Sequence, residues 1–267
     1  NVVAPAAMLD EHGSDAVRYW AASSRLGSDA AFDPQNPKLM KIGRRLAIKV
    51  LNAAKFVHGF TATDGAVPSR PLDLDLLAEL AVVIRTATKA YEEYDHARAL
   101  EATEQFFWTF CDDYLELVKE RAYDQDGTDP DGRGSAVATL RIALDVLLRL
   151  LAPVIPFATE EVWRWSHDSS VHLSPWPTVE ETGGADAPTG LLPAVSTALI
   201  GIRRAKTDAK VSQRAAVTSA TITGPAVLEG GIADLSAVGR IQSVVFVEAA
   251  EIAVSDVVLA PVEEASA

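Results

Sequence analysis

Apolar residues recur at helical spacing between Pro37 and Phe60, and this pattern constrains the fold more than any other feature of the sequence. Successive apolar positions are three or four residues apart, so their side chains lie along one stripe of an α-helix. The stripe consists of Leu39, Ile42, Leu46, Val50, Ala53 and Val57. A long helix with one apolar face has to pack against other secondary structure to bury that face.

Similar helical patterns cover most of the chain up to Pro177, and proline, glycine or capping residues bound each of them. Ser14 and Asp15 are expected to cap the first helix, and the acidic, glycine-rich residues 124–134 are expected to form an exposed turn. The predicted helices span about residues 14–25, 37–60, 72–94, 95–123, 135–151 and 159–165. Packed helices with short connections predict a mainly α fold, an antiparallel helical bundle.

The sequence changes character after Pro177, where residues 178–190 are rich in glycine and proline and are expected to form a linker. A helix is predicted from about Leu191 to Lys210. Three β-branched segments predict strands, and together they indicate a small C-terminal α/β subdomain. The strands are expected at 217–223, 241–247 and 252–259, with a turn and helix at 226–238. The predicted domains are 1–35, a linker and helix; 36–177, the helical bundle; 178–190, a linker; and 191–267, the α/β tail.

The composition fits a protein that folds around an ordinary apolar core. Hydrophobic residues make up 48% of the chain and charged residues 23%, which is enough to bury a core without covalent cross-links. The single cysteine, Cys111, excludes an intramolecular disulfide and a cysteine-based zinc site. No apolar run approaches the roughly 20 residues that a membrane span needs. These features predict a cytoplasmic protein without a membrane partner.

The charge of the chain is unevenly distributed. The net charge of −13 argues against nucleic-acid binding by the surface as a whole. Between Pro34 and Thr63, however, the sequence contains no Asp or Glu. The cations of this segment are Lys38, Lys41, Arg44, Arg45, Lys49 and Lys55. A local basic strip of this kind determines where a polyanion docks, even on an acidic protein.

Part of this strip forms a single face of the predicted helix. The face consists of Lys38, Lys41, Arg45, Lys49, Asn52 and Phe56. These positions repeat with the spacing of the apolar stripe shifted by one residue, so they point about 100° away from it. Cations bind phosphates, an amide contacts a base edge and an aromatic ring stacks on a base, which suits single-stranded nucleic acid. The alternative is an ordinary solvated helix face with Phe56 turned into the core.

A second basic cluster lies near the end of the helix predicted from Leu191. It contains Arg203, Arg204, Lys206, Lys210 and Arg214, and only Asp208 opposes it. We interpret Arg203 and Arg204 as an extension of the same nucleic-acid footprint. An ordinary basic helix surface is the alternative.

The sequence contains no constellation of residues that would carry catalysis. The aspartates between 124 and 131 lack the spacing of a calcium loop. The five histidines lack metal-ligand spacing and a nucleophilic partner. Glu160 and Glu161 point about 100° apart on a helix, and the helix dipole explains them better than paired catalysis does. We predict no catalytic residue, no metal site and no cofactor within this chain.

Five segments resemble, in order, sequences of the class I aminoacyl-tRNA synthetases that charge tRNA with branched aliphatic amino acids. They are residues 1–5 (NVVAP), 12–20 (HGSDAVRYW), 49–57 (KVLNAAKFV), 107–119 (FWTFCDDYLELVK) and 156–163 (PFATEEVW). The resemblance covers about residues 1–177. Residues 52–57 (NAAKFV), and residues 170–172 (SVH) followed by Trp176 and Pro177, resemble the valyl branch of the family.

The resemblance implies that residues 36–177 are an anticodon-binding domain and that residues 1–35 follow the ATP loop of a catalytic domain. Its partner would be the tRNA that accepts valine, and not DNA. The full-length enzyme would use ATP with magnesium to attach valine, whereas this chain would lack the catalytic and editing domains and be inactive alone. Lys49 and Phe56 match family positions near the anticodon loop, which favours the RNA-binding interpretation of the basic face, with Phe56 stacking on a base.

The resemblance also implies structural roles at a helix junction for Cys111, Asp112, Tyr114 and Glu116. The sequence departs from the family at Leu51, where Trp is usual, and at Lys55, where Arg is usual, which changes the expected packing and phosphate contacts. No heptad pattern follows Leu191, so the long coiled coil of many valyl enzymes is not expected. An isoleucyl or leucyl relative, a helical protein-interaction scaffold and an independent hydrolase are the alternatives.

Overall fold

The computed structural model describes residues 5–28, 37–183 and 187–261. Parts of three predicted features lie outside the described residues. They are residues 1–4 of the first family-like segment, 184–186 of the predicted linker and 262–267 of the predicted tail.

Helices dominate the described part of the chain. The α-helices are α1 (Pro5–His12), α2 (Ser14–Ala22), α3 (Lys38–His58), α4 (Pro71–Glu92), α5 (His96–Thr109), α6 (Leu115–Tyr123), α7 (Pro130–Leu151), α8 (Pro156–Trp163), α9 (Leu191–Asp208) and α10 (Ile232–Gly239). The strands are β1 (Val217–Gly224), β2 (Ile241–Glu248) and β3 (Ala253–Leu259). A π-helical turn occupies Phe110–Tyr114, and 3₁₀ helices occupy Val171–Leu173, Val179–Thr182 and Ala226–Gly231. The predicted fold class, a helical bundle with a small C-terminal α/β part, is confirmed.

The chain divides into two compact units. Unit 1 comprises the described residues of Asn1–Thr61, Ala78–Thr109 and Thr139–Gly184, and unit 2 those of Ala62–Leu77, Phe110–Ala138 and Ala185–Ala267. Helices α4 and α7 therefore supply residues to both units. The predicted domain limits at residues 36, 178 and 191 stay a prediction.

Helix α3 is held in unit 1 by a close approach to α2. A Cβ added to Gly43 would come within 2.5 Å of the Cβ of Tyr19, so the two helices can approach this closely only because residue 43 is glycine. Tyr19 is itself 5% exposed. This contact is therefore one of those that position α3 in unit 1, beside its packing against α8.

The predicted apolar stripe of α3 is correct over most of its length and wrong at its start. The buried residues that were predicted are Leu46, Val50, Ala53 and Val57. Leu39 is instead 37% exposed and Ile42 is half-buried, whereas Met40 and Gly43 are buried. Gly43 packs against the Tyr19 side chain, so the inward face at this end of the helix runs through Met40 and Gly43.

Asp15 caps a helix other than its own. The predicted cap of α2 by Ser14 and Asp15 is wrong, because no side chain bonds to the N-terminus of α2. The Asp15 carboxylate instead accepts hydrogen bonds from the backbone N–H groups of Phe157 at 3.1 Å and Ala158 at 2.8 Å. It thereby satisfies the first turn of α8, which begins at Pro156 and not at residue 159 as predicted.

Ion pairs fix the segment that follows α8. Arg149 of α7 is 7% exposed and binds the carboxylates of Asp145, at 2.7 Å, and Glu181. Glu181 also accepts a hydrogen bond from the Thr178 N–H at 2.8 Å, within a capping box that starts the 3₁₀ helix Val179–Thr182. Residues 178–183, at the start of the predicted linker, are thus anchored to α7.

We expect the Arg149–Glu181 pair to make the thermal stability of the chain pH-dependent. The hydrogen bond from Arg149 lowers the pKa of Glu181. A carboxyl group whose folded pKa is depressed contributes its full stabilisation above the unfolded pKa, about 4.3 for Glu, and loses it as the pH falls through the folded pKa. Between pH 7 and pH 3, the melting temperature of the parent should therefore fall further than that of Glu181→Gln. Parallel curves for the two proteins would contradict this, and Glu92→Gln, at an exposed position on α4, should follow the parent.

Unit 2 contains a three-stranded sheet in the order β2-β1-β3. Strand β1 pairs in parallel with β2 and antiparallel with β3. A parallel pair requires a crossover connection, and the predicted turn and helix at 226–238 provide it. Val217 and Ile222 of β1 are fully buried, as are Ile202 of α9 and Leu235 of α10. The core of this α/β part thus lies between the sheet and its two helices.

Helix α7 begins at Pro130 and not at Ser135 as predicted. Proline suits the first position of a helix, where its missing N–H has no intrahelical partner to lose. The Asp129 carboxylate accepts a hydrogen bond from the Gly132 N–H at 3.0 Å and caps the helix. The Asp-Pro pair is a helix-start signal that the neighbouring glycines obscure in the sequence.

The predicted helix junction around residues 111–116 is the π-helical turn Phe110–Tyr114. Cys111 and Tyr114 are buried, in agreement with the structural role predicted for them, whereas Asp112 and Glu116 are exposed. A π turn inserts one extra residue into a helix, and here it directs the Tyr114 hydroxyl towards a buried carboxylate.

The Tyr114 hydroxyl is hydrogen-bonded to a buried ion-pair network centred on Arg121 of α6. Arg121 donates to Asp73 of α4 through two nitrogens, both at 2.8 Å, and to Asp234 of α10 through Nε at 2.8 Å. The Tyr114 hydroxyl, at 2.7 Å, and the Ser135 hydroxyl, at 2.5 Å, donate to the same Asp73 carboxylate. Asp73 is fully buried and the side chains of Arg121 and Asp234 are 9% exposed. The network joins α4, α6, α7 and α10 within unit 2.

We expect Arg121→Ala to lower the free energy of unfolding by about 3–5 kcal/mol, because two buried carboxylates lose the guanidinium that binds both. Urea denaturation measures this change. The matched control is Arg98→Ala, which removes an exposed arginine 4.0 Å from Glu93 and should change the stability little. A loss no larger than that of the control would contradict a stabilising role for the network.

Candidate nucleic-acid interface

The predicted basic face of α3 lies on the outer side of the helix in unit 1. Lys38, Lys41, Arg45 and Asn52 are exposed, and Lys49 and Phe56 are half-buried. Among the residues that the structure describes, no ion pair neutralises Lys38, Lys41 or Arg45. These three side chains are exposed, so within the described ranges the helix displays their positive charges to solvent.

Trp108 of α5 orders two of these cations. The guanidinium carbon of Arg45 lies 4.8 Å from the centroid of the Trp108 ring, and the ammonium of Lys49 lies 5.9 Å from it. Both distances are within the range of a cation–π interaction, which stabilises by about 0.5–1 kcal/mol at exposed sites. The sequence does not reveal this role of Trp108, because only the packing of α5 beside α3 brings the ring close to the two cations.

A chain of hydrogen bonds holds the Trp108 ring in place. The indole Nε1 donates to Oε1 of Glu104 at 3.1 Å, and the Tyr19 hydroxyl donates to Oε2 of the same carboxylate at 2.6 Å. Burial raises the pKa of Tyr19, and the hydrogen bond to Glu104 raises it further, so the hydroxyl stays a donor. The residue that packs against Gly43 therefore also positions, through Glu104, the platform for Arg45 and Lys49.

Phe56 lies at the C-terminal end of the face. Its ring meets that of Phe60 edge to face, with 5.0 Å between the centroids, and Phe60 is 6% exposed. Phe56 is half-buried, so its ring is supported by the core without being enclosed in it. This position is compatible with stacking on a base, and the stacking role stays a prediction.

The two candidates outside α3 lie on α9 in unit 2. Arg203 and Arg204 are exposed, and Nε of Arg204 is 3.8 Å from Asp208. Their predicted continuity with the basic face of α3 stays a prediction. The cluster differs from the predicted surface in one respect: Lys206 is 1% exposed, because its ammonium is hydrogen-bonded to backbone carbonyls inside unit 2.

A cavity of about 380 Å³ in unit 1 is lined by His58, Asp145, Ser166 and His167, among others. Nε2 of His167 is 3.3 Å from Asp145, and Nδ1 is 3.1 Å from the Ser166 hydroxyl. These contacts have the order of a Ser-His-Asp relay. Nδ1 also lies 3.2 Å from the carbonyl oxygen of Trp163, which only accepts hydrogen bonds and therefore binds Nδ1 when this nitrogen carries the hydrogen. It is then unable to accept the Ser166 proton, as a relay requires.

Glu160 and Glu161 have structural contacts of their own. Glu160 accepts hydrogen bonds from Arg164 Nε at 2.7 Å and from the Ser170 hydroxyl at 2.8 Å, and these contacts lower its pKa. Glu161 accepts a hydrogen bond from the indole of Trp165 at 3.2 Å. Direct contacts, more than the helix dipole, thus account for the two carboxylates.

Within residues 5–28, 37–183 and 187–261, no three His, Cys, Asp or Glu side chains gather into a group that could bind a metal ion. None of the helices there combines the length and the apolar composition that crossing a membrane requires.

The family model for the anticodon-binding domain of tRNA ligases matches residues 73–222, more than half of the chain. The chain belongs to this family. The matched part of the anticodon-binding domain runs from the start of α4 into β1, and it includes Arg203 and Arg204. The basic helix α3 precedes the matched range.

Curated relatives of this anticodon-binding domain extend the similarity to almost the whole chain. The chain is 60% identical to a valine–tRNA ligase of Leifsonia xyli subsp. xyli over 99% of its length, and 52% identical to that of Thermobifida fusca over 99%. It is 48% identical to the valine–tRNA ligase of Cutibacterium acnes over 92% of its length. The chain spans only 31%, 30% and 28% of these three relatives. The predicted resemblance to the valyl branch is confirmed.

A solved structure shares the fold of the anticodon-binding domain. It is the crystal structure of the ternary complex of Agrobacterium radiobacter K84 agnB2 LeuRS, tRNA and LeuAMS, with a TM-score of 0.51 and 23% identity. The match covers 68% of this chain and 21% of that chain. At this identity the similarity establishes the fold alone.

We expect Trp108→Leu to release the Arg45 side chain, because leucine keeps an apolar side chain at this position and removes the aromatic face. The NMR order parameter of the Arg45 Nε–H bond should fall below about 0.6, the range of flexible groups. Arg44 is the internal control, since it contacts the backbone of Glu11 at 3.4 Å and not the ring. An unchanged Arg45 order parameter in the variant would show that Trp108 does not order this cation.

Proposed function

We propose that this chain binds the anticodon arm of the tRNA that accepts valine, and that it selects and orients this tRNA for a valine–tRNA ligase. The observation that carries the proposal is the basic face of α3. On that face, cations that form no ion pair with another described residue, two cations ordered over Trp108, an exposed amide and a half-buried aromatic ring lie along one side of one helix.

The chemistry of each part of the face suits a single-stranded loop. Lys38 and Lys41 bind backbone phosphates as mobile point charges, while Arg45 presents an ordered guanidinium. The Asn52 amide has both a donor and an acceptor for a base edge. Phe56 offers a ring on which an unstacked base can rest, supported from behind by Phe60.

The preference for valine tRNA is supported by the relatives. Valine–tRNA ligases are 48–60% identical over nearly the whole chain, α3 included, whereas the similarity to LeuRS is 23%. An isoleucyl or leucyl assignment is therefore less well supported. We assign no catalytic role to this chain. In our proposal, ATP with magnesium is bound by the remainder of a full-length ligase, which acts in the cytoplasm.

The proposal is tested by binding of the chain to purified tRNAs for valine, isoleucine and leucine over a salt series. The parent should prefer valine tRNA, and its affinity should fall steeply with rising salt. Lys41→Ala and Lys49→Ala should weaken binding to all three tRNAs and lower the salt slope by about 0.7–0.9 per phosphate contact. Phe56→Ala should weaken binding of valine tRNA selectively, by about 1–3 kcal/mol per stacked base.

The matched control is Lys89→Ala, which removes an exposed lysine of α4 whose ammonium lies 3.8 Å from the Glu93 carboxylate. It should bind valine tRNA as the parent does. If Lys49→Ala and Phe56→Ala also bind like the parent, the assignment of the α3 face is wrong. Binding that is equal for the three tRNAs would leave RNA binding in place and overturn the choice of valine tRNA. Failure of the parent to bind any of them would overturn the proposal for this chain.

A further inference from the structure

A small basic cleft lies in unit 2, between α6, α9 and the loops that flank β1. Its volume is about 210 Å³. The charged residues that line it are the cations Lys119, Arg203, Lys206, Arg214 and Arg240 and the carboxylates Glu116 and Glu120. Five cations against two carboxylates leave a positive excess at one place on a chain whose net charge is −13. Such an excess attracts anions.

Lys206 forms the floor of this cleft. Its side chain is almost fully buried, at 1% exposure, and its ammonium donates to the carbonyl oxygens of Gln213 at 3.1 Å and Gly239 at 2.8 Å. These bonds join α9 to the loop before β1 and to the end of α10. No carboxylate among the described residues forms an ion pair with Lys206, so its charge is held in place by neutral carbonyl dipoles.

Three arginines surround this lysine on the exposed side. Burial lowers the pKa of Lys206, and the charges of Arg240 and Arg203 lower it further, which places both guanidinium groups within electrostatic range of the ammonium. Like charges repel at such positions unless an anion lies between them. In the described part of the chain, neither Arg203 nor Arg214 uses its guanidinium in a hydrogen bond or ion pair.

The backbone conformation of Arg240 fixes it at the rim. Arg240 is the residue after α10 and has a φ of 52°, in the left-handed region that glycine and asparagine favour. Its guanidinium donates to the carbonyl oxygen of Arg214 at 3.3 Å. Its side chain therefore lies beside Arg214, although neither the helix pattern nor the strand pattern of the sequence requires an arginine here.

The carboxylates near the cleft do not cancel these charges. Glu116 and Glu120 lie on α6 and are exposed, and neither forms an ion pair with the lining cations among the residues described. Arg203 lowers the pKa of Asp113, which burial and Asp112 raise, so Arg203 also faces an acidic side chain outside the cleft. The net charge of the lining stays positive.

We propose that this cleft binds a backbone phosphate of the tRNA. The proposal rests on the proposed function for the identity of the RNA and adds a second point of attachment, separate from the α3 face. A phosphate accepts several hydrogen bonds at once, and guanidinium groups match it in geometry and charge. The cleft has no exposed aromatic side chain in its lining on which a base could stack, so its contribution is affinity and orientation and not base selection.

The test uses Arg203→Ala and Arg240→Asn, because asparagine tolerates the left-handed backbone that Arg240 adopts. Each variant should bind valine tRNA about five- to tenfold more weakly than the parent near 0.1 M salt and should lower the salt slope by about 0.7–0.9. The loss should be equal for the three tRNAs. Arg203→Lys should recover part of the affinity. Arg98→Ala, which removes an exposed arginine paired with Glu93, is the control.

Arginine modification with phenylglyoxal, mapped by mass spectrometry, locates the ligand. Micromolar tRNA should protect Arg203, Arg214 and Arg240 and leave Arg98 as reactive as before. Inorganic phosphate should protect the same three residues only at concentrations at least about a hundredfold higher, since one isolated phosphate lacks the other contacts of the RNA. Equal protection by phosphate and tRNA at equal concentrations would show a free-phosphate site and overturn the assignment to RNA.

The outcomes separate this inference from the proposed function. If Lys49→Ala weakens tRNA binding while Arg203→Ala and Arg240→Asn bind like the parent, the α3 assignment holds and the cleft is not a tRNA site. If the cleft variants lose affinity while Lys49→Ala and Phe56→Ala do not, the cleft holds the RNA and the α3 face is overturned. If tRNA does not slow the phenylglyoxal modification of these three arginines, that result alone overturns the inference.

Discussion

The buried carboxylate of Asp73 is the constraint on which the architecture of unit 2 depends. A fully buried charge is unfavourable unless hydrogen bonds and an opposite charge satisfy it. Arg121, Tyr114 and Ser135 all donate to it, and Arg121 extends the contact to Asp234 on α10. Because α10 is part of the crossover of the parallel β1–β2 pair, the network links the carboxylate on α4 to the element that connects these two strands.

In unit 1, one residue, Tyr19, contributes both to the packing of two helices and to the order of surface side chains. Tyr19 packs against Gly43 with its ring and bonds Glu104 with its hydroxyl. Glu104 in turn holds the Trp108 indole that lies under Arg45 and Lys49. The ordering of the cations is therefore linked to the close approach of α2 and α3. Preorganised cations lose less conformational entropy on binding than mobile ones, so the packing of the core contributes to the proposed recognition of RNA.

Two helices are capped by aspartates that lie far from them in the sequence. Hydrophobic periodicity does not predict such caps. Asp15 caps α8 across 142 and 143 residues, and Asp75 of α4 accepts hydrogen bonds from the Thr189 and Leu192 N–H groups at the start of α9. The position of Asp15 beside Ser14 resembles a local cap, so the sequence indicated the right chemistry for the wrong helix. The start of α7 was open to prediction, because Asp129 and Pro130 are adjacent, but the glycines after them favoured a turn.

The sequence by itself indicated most of the helices, the three strands, the turn and helix between β1 and β2 and the basic face on α3, because apolar spacing and charge spacing are local properties of a chain. It did not predict α1 or the parallel pairing of β1 with β2. It also carried the family, through segments such as 49–57 and 107–119. Only the tertiary structure decided that Met40 and not Leu39 is buried, that Trp108 supports Arg45, and that Lys206 is buried beneath Arg203, Arg214 and Arg240. These outcomes depend on the distances between elements, which packing sets and which no local pattern contains.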